Sequence, residues 1–293
     1  MRCVRRLAIV AVLSLLMPSV SFGASEETPP SAGAAQSKCN RAQFRLILDV
    51  GHTAEVPGAM SARGATEYEF NLRLGKEIKQ KLVDAGFART ALLITAGSAR
   101  QSLMKRVALA NRSPADLFLS IHHDSVPAAF FESWEYDGKQ RNFSDRFKGH
   151  SIFISHDNSA RSASLLFGRL LGTQLKARDL QYAPHYTEPF MGSRQRELAD
   201  AEAGVYWYDQ LIVLRMTRMP AVLLEAGSII NRGEELLMAS RERRALIADA
   251  VTDAADAFCA ARSRRDPDRL RGVAHGAKPA LPPAAAAQAS PRR

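Results

Sequence analysis

Apolar positions follow two rhythms along this chain. Phe44 to His52 reads FRLILDVGH, a short apolar run that ends in Gly51-His52 and meets a loop with Pro57, Gly58 and Gly64, so it predicts a buried strand. From Glu67 to Ala85, Phe70, Leu72, Leu74, Ile78, Leu82 and Val83 recur at roughly helical spacing and Gly86 follows, which predicts an amphipathic helix. Residues 88–95 predict a second strand, and Gln101 to Asn111 a second helix closed by Ser113-Pro114. Ala115 to Ile121 predicts a third strand, running into His122-His123-Asp124. Strand, helix, strand, helix, strand implies crossover units on a parallel sheet. Ser151–Ser155 predicts a fourth strand and Arg161–Leu175 a helix; Leu211–Arg215 and Ala221–Leu224 predict two more strands, and Glu234–Ala239 and Arg241–Ala261 two closing helices. The expected fold is a single α/β domain, a mostly parallel sheet of about six strands with helices on both faces.

Two stretches break the rhythm. Residues 125–149 carry Phe130, Phe131, Trp134, Tyr136, Phe143 and Phe147 without a clean period, and predict an excursion or lid beside the third strand. Residues 179–209 predict an irregular connection containing Pro184, His185, Pro189 and the aromatic run Tyr206 to Tyr208. Connections of that length in compact domains are often functional.

Composition and charge then set the boundaries. Residues 1–24 have a basic start, an apolar run from Leu7 to Met17 and small residues near Ala24, the pattern of a secretory signal peptide. Residues 25–38 suit a flexible linker, residues 39–262 hold the patterned domain, and residues 263–293 form an Arg/Pro/Ala-rich basic tail with little to bury. Of the net charge of +10, the leader carries +3 and residues 261–293 carry +6, which leaves +1 for residues 25–260. The basic charge thus lies on the leader and the tail rather than on one face of the domain, so a nucleic-acid reading of the high pI loses its support and no nucleic-acid partner is expected. Export permits disulfides, and the exported chain keeps two cysteines, Cys39 and Cys259, that could tie the two ends of the domain together.

Three of the strands end in polar groups: His52, His122 and Glu225, while the first helix opens with Glu67. Strand ends on one sheet edge converge however far apart they lie in sequence. Two imidazoles and a carboxylate are a ligand set for catalytic zinc, and a second carboxylate can then act as general base. Spacing adds little, since His52 and Glu67 are 15 residues apart and Glu67 and His122 are 55 apart, with no compact signature.

The blocks LDVGH, EYEFNL, LFLSIHHDS and MPAVLLEAGSIIN, in that order between residues 44 and 260, resemble the zinc-dependent N-acetylmuramoyl-L-alanine amidases of the bacterial cell wall, the type 3 branch. The resemblance implies one Zn2+ per chain, held by His52, Glu67 and His122, with Glu225 as the catalytic base. Alignment on Asn71-Leu72 selects Glu67 over Glu69, which is left as a solvated or supporting group; the match to Ser-Ile-His selects His122 over His123. His123 and Asp124 could orient ligands by hydrogen bonds. Val50 and Thr53-Ala54 depart from the usual proline and glycines without touching a ligand. Some relatives insert a helix after the strand that here reads SIFIS, blocking the zinc until a partner displaces it; Asp157-Asn158-Ser159 leads straight into the next helix, so no such plug is expected. Glu132 or Glu135 could shield the metal, although a structural lid is favoured, and His185 is expected at the surface with substrate contact as the alternative.

The implied activity is hydrolysis of the amide between the lactyl group of N-acetylmuramic acid and L-alanine of the stem peptide. The implied partner is peptidoglycan in the periplasm or outside the cell, with a protein activator allowed for and a monomer expected. The rival readings are an exported zinc peptidase or deacetylase using the same site, or a wall-binding protein without catalysis.

Overall fold

A computed structural model describes residues 39–265. The leader 1–24, the linker 25–38 and residues 266–293 of the expected tail lie outside the described residues, whereas the tail's first three residues, 263–265, continue the last helix. In chain order the principal elements are β1 (Arg45–Val50), α1 (Glu67–Asp84), β2 (Arg89–Leu93), α2 (Ala99–Arg112), β3 (Leu117–Asp124), β4 (Glu132–Tyr136), β5 (Lys139–Phe143), β6 (Ser151–Ile154), α3 (Arg161–Lys176), β7 (Leu198–Asp200), β8 (Val205–Trp207), α4 (Ile212–Met216), β9 (Ala221–Ser228), α5 (Arg232–Ala239) and α6 (Arg241–Arg265).

The sheet has seven strands in the order β2-β1-β3-β9-β6-β8-β7. The neighbours β2, β1, β3 and β9 all run parallel, whereas β6 lies antiparallel to β9. Alternation along each strand divides the core in two. Leu46, Leu48, Leu119, Leu224 and Ile152 face one side, where Leu74 and Ile78 of α1, Phe167 and Leu171 of α3 and Val251 and Phe258 of α6 cover them. Ile47, Phe118, Leu223 and Phe153 face the other, under Val107 of α2, Val213 and Leu214 of α4, and the 3₁₀ turns Pro184–Thr187 and Pro189–Arg194. Helices therefore cover both faces, as the pattern implied.

Three expectations need correction. Leu211–Arg215 is not a strand; Ile212–Met216 forms the short helix α4. The connection 179–209 is not wholly irregular: it holds β7 and β8, which join the five expected strands that remain to make a sheet of seven. The excursion 125–149 holds a separate two-stranded hairpin, β4 with β5.

The hairpin is fastened to the rim. Trp134 donates its indole N–H to the Ala62 carbonyl at 3.0 Å and stacks on Tyr136, with the guanidinium of Arg63 5.3 Å from the Trp134 ring centre. At the opposite edge of the sheet, Cys39 and Cys259 are disulfide-bonded, their Cα atoms 5.1 Å apart.

Candidate metal centre

Because β1, β3 and β9 are parallel neighbours, their carboxyl ends share one sheet edge. His52 follows β1 in the left-handed region at φ 65°, which turns its ring back over that edge. Gly51 permits the turn, since a Cβ there would lie 2.4 Å from His122 Nε2. Gly58, at φ 79°, is equally constrained: a Cβ there would lie 2.4 Å from Glu67 Oε2.

Glu67 is the first residue of α1, whose N-cap Thr66 accepts a hydrogen bond from the Glu69 amide while the Glu69 carboxylate accepts one from the Thr66 amide. Glu69 is therefore exposed and spent on a capping box. Glu67 is buried and points the other way, with Oε2 3.0 Å from His52 Nε2 and Oε1 2.8 Å from His122 Nδ1. Donor atoms of the three side chains lie within 4.8 Å of one another. Among the described residues this is the one group of three or more His, Cys, Asp or Glu side chains gathered so closely. Two imidazole nitrogens and one carboxylate at that separation suit a zinc ion. Burial alone would raise the Glu67 carboxyl, but hydrogen bonds from His122 and His52 outweigh it and hold the group well below the usual carboxylate range.

Glu225 stands opposite His122 in the β3–β9 register, so the two side chains emerge on the same face. Its Oε2 is buried and accepts no hydrogen bond among the described residues. Burial pushes the Glu225 carboxyl well above its ordinary value; Asp124 and Glu67 push the same way, and Arg194 opposes them.

The surrounding residues fix this arrangement. His123 is buried, and its Nδ1 lies 2.8 Å from Asn71 Oδ1, while Asn71 Nδ2 donates to Glu67 Oε1 at 3.3 Å. Burial lowers the His123 ring to about 3, so it stays neutral. Asp124 accepts from Tyr186 Oη at 2.6 Å and is pushed up to about 6, chiefly by burial. His185 is not at the surface as expected: it is 7% exposed and stacks on Tyr186. Glu132 and Glu135 are exposed on β4 and stand outside the His52–Glu67–His122 group.

Sequence reasoning missed Arg106, which is 1% exposed and donates to Thr95 Oγ1 at 3.0 Å, to Asp49 Oδ2 at 3.3 Å and to the His52 carbonyl. The available signal was a charge on the buried stripe of α2, between Ser102 and Ala110, together with an aspartate inside the apolar run of β1.

The family model described as N-acetylmuramoyl-L-alanine amidase matches residues 46–257. The chain belongs to this family. It is 24% identical over 261 residues to the N-acetylmuramoyl-L-alanine amidase AmiA of Escherichia coli, covering 83% of this chain and 86% of AmiA. It is 26% identical over 213 residues to the YqiI protein of Bacillus subtilis, covering 73% of this chain and 84% of that one. The crystal structure of the amidase Ami1 from Mycobacterium smegmatis superposes with a TM-score of 0.57 at 20% identity, covering 76% of this chain and 99% of Ami1. As a member of the amidase family the chain is an enzyme of cell-wall hydrolysis. The four predicted site residues all fall within the matched span, and the match includes the loop carrying Gly51 and Gly58.

Proposed function

We propose that this enzyme is a zinc-dependent N-acetylmuramoyl-L-alanine amidase, in which His52, Glu67 and His122 hold the ion and Glu225 moves the proton. The observation that carries the reading is the convergence of two imidazoles and a buried carboxylate within 4.8 Å, with the hydrogen-bond-free Oε2 of Glu225 on the same edge. When bound, zinc supplies Lewis acidity, bringing the pKa of water to about 7 and polarising the lactyl carbonyl.

Glu225 accepts a proton from the attacking water at Oε2 and delivers it to the nitrogen of L-alanine as the amide breaks, leaving a lactyl carboxylate and a free amine. Burial beside Asp124 and Glu67 makes its carboxylate a stronger base than a solvated one, and a dication at the triad would oppose that rise. Asn71 holds Glu67 against His123 and the Gly51 carbonyl, so the ligand oxygens keep their direction during turnover.

The export signature of residues 1–24 and the Cys39–Cys259 disulfide support work outside the cytoplasm, on peptidoglycan, in wall remodelling or separation of daughter cells. Digestion of purified peptidoglycan by residues 25–293 tests the reading. Free stem peptides and peptide-less glycan, abolished by chelator and restored by zinc, are expected; released acetate or split stem peptides would overturn it. Glu225→Gln is expected to keep one zinc per chain while turnover falls by about 100-fold or more. Full activity in that variant would remove Glu225 from the proton path.

A further inference from the structure

The 3₁₀ turns Pro184–Thr187 and Pro189–Arg194 bring three side chains to the Glu225 side of the strand edge. Tyr186 and His185 are buried there, and Tyr186 and the Ser125 amide already satisfy Asp124, at 2.6 Å to Oδ2 and 2.7 Å to Oδ1. The third, Arg194, is bound differently. Its Nη2 reaches Asp124 Oδ1 at 3.5 Å, at the outer limit of a hydrogen bond, and its guanidinium makes no other hydrogen bond among the described residues. The side chain is 37% exposed, so the rest of its donor fork opens outward.

Arg196, two residues on, shows how a structurally committed arginine looks in the same segment. Its Nη1 donates to the Ser193 and Gln195 carbonyls at 2.8 and 2.7 Å, and its guanidinium lies 3.7 Å from the centre of the Tyr208 ring. Arg194 has no such commitments. It stands near enough to Asp124 and Glu225 to lower both carboxyls, and near enough to His185 to disfavour protonation there. Beside Asp124 and Glu225, Arg194 is a cation that a substrate carboxylate passing this edge would meet.

Resting on the amidase reading, we propose that Arg194 is a substrate-binding residue, whose open guanidinium takes a carboxylate carried by the stem peptide beyond L-alanine through paired N–H···O bonds. Guanidinium and carboxylate are matched in shape for two parallel hydrogen bonds, and partial burial strengthens them. This makes the enzyme selective for peptides that keep a free acid close to the scissile amide.

The test uses zinc-loaded residues 25–293 and two soluble muramoyl dipeptides, identical except that the residue after L-alanine carries either a free carboxylate or its amide. Wild type is expected to favour the free acid by about 10- to 100-fold in kcat/KM, the size of one charge-assisted contact. Arg194→Gln should erase the preference, bringing the kcat/KM ratio of the two substrates close to one mainly through the KM of the free acid; the ratio is the readout, because loss of the guanidinium beside Glu225 acts on both substrates alike. Arg194→Lys, which keeps the charge and loses the fork, should retain part of it. Equal slowing of both substrates by Arg194→Gln would assign the residue to holding the turn in place and overturn the proposal, as would a wild type indifferent to the amide. A wild type that cleaves neither substrate and leaves peptidoglycan intact would overturn the amidase reading and the inference with it, whereas cleavage without discrimination removes the inference alone.

Discussion

Arg106 carries a full charge at 1% exposure, and its partners explain why the core tolerates it. Asp49 supplies the counter-charge and is itself held by Ser120 Oγ at 2.7 Å, while Thr95 and the His52 carbonyl each take a further donor. That carbonyl belongs to a residue in the left-handed region, so the arginine pins the backbone that aims the His52 ring. Arg106→Met keeps most of the volume but leaves Asp49 buried and unpaired, and should cost about 3–5 kcal/mol in urea unfolding. In the folded variant, zinc affinity should fall by about 10- to 100-fold, the range seen when groups behind a metal ligand are removed. Unchanged affinity in a zinc titration would mean that Gly51 and the strand end suffice to aim His52. The sequence displayed both halves of this pair as anomalies, a charge in each buried stripe. It could not show that they meet, because they are 57 residues apart and on different elements.

At the scale of elements, legibility followed the strength of the periodic signal. The extents of α1 and α3 lie within a residue of their expected ranges and β1 sits inside its own, because each is a sustained apolar pattern bounded by turn residues or caps; β3 and β9 start close to where expected but continue through His122–Asp124 and Glu225–Ser228, where polar residues and glycine hide the strand from an apolar pattern. The Leu211–Arg215 run failed because five mostly apolar residues have no measurable period, and the α2–α4 packing decides in favour of helix. β7 and β8 are three residues each, below the length at which alternation is visible. β4 and β5 carry Trp134, Tyr136 and Phe143 on one face, interleaved with charges, and only polar residues on the other, yet their turn, Asp137-Gly138, has φ of 53° and 66° and is the dipeptide most diagnostic of a hairpin. Among the elements, α1 bears most directly on the site, because its first residue is Glu67 and its start is set by the Thr66–Glu69 box. Thr66→Ala should therefore cost about 1 kcal/mol of stability, as N-cap removal usually does. It should also weaken zinc binding, since fraying of the first turn moves Glu67 from between the two histidines. A stability loss with unaltered zinc affinity would show that Asn71 and the Ala59 amide, 3.1 Å from Glu67 Oε2, hold the ligand without help from the cap.

The molecule as a whole separates its chemistry from its closure. His52, His122 and Glu225 lie at the carboxyl ends of parallel strands, whereas Cys39 precedes β1 and bonds to α6, at the far edge of a strand about 20 Å long. Arg41 bound to Asp256 at 2.6 Å and the edge contact of Phe44 with Phe258 already dock α6 at that end. The disulfide thus adds little contact to the folded state and acts chiefly by closing a loop of 220 residues in the unfolded one. Loop-closure entropy for so long a loop predicts that Cys39→Ser with Cys259→Ser costs about 2–5 kcal/mol in urea unfolding. Zinc content and turnover measured well below the unfolding midpoint should match wild type. A drop in zinc affinity in the folded double variant would contradict the separation, because it would require strain to travel the length of β1 from one sheet edge to the other. Reduction of the wild type should reproduce the stability loss without either substitution, which distinguishes the crosslink from the loss of two buried or half-buried sulfurs.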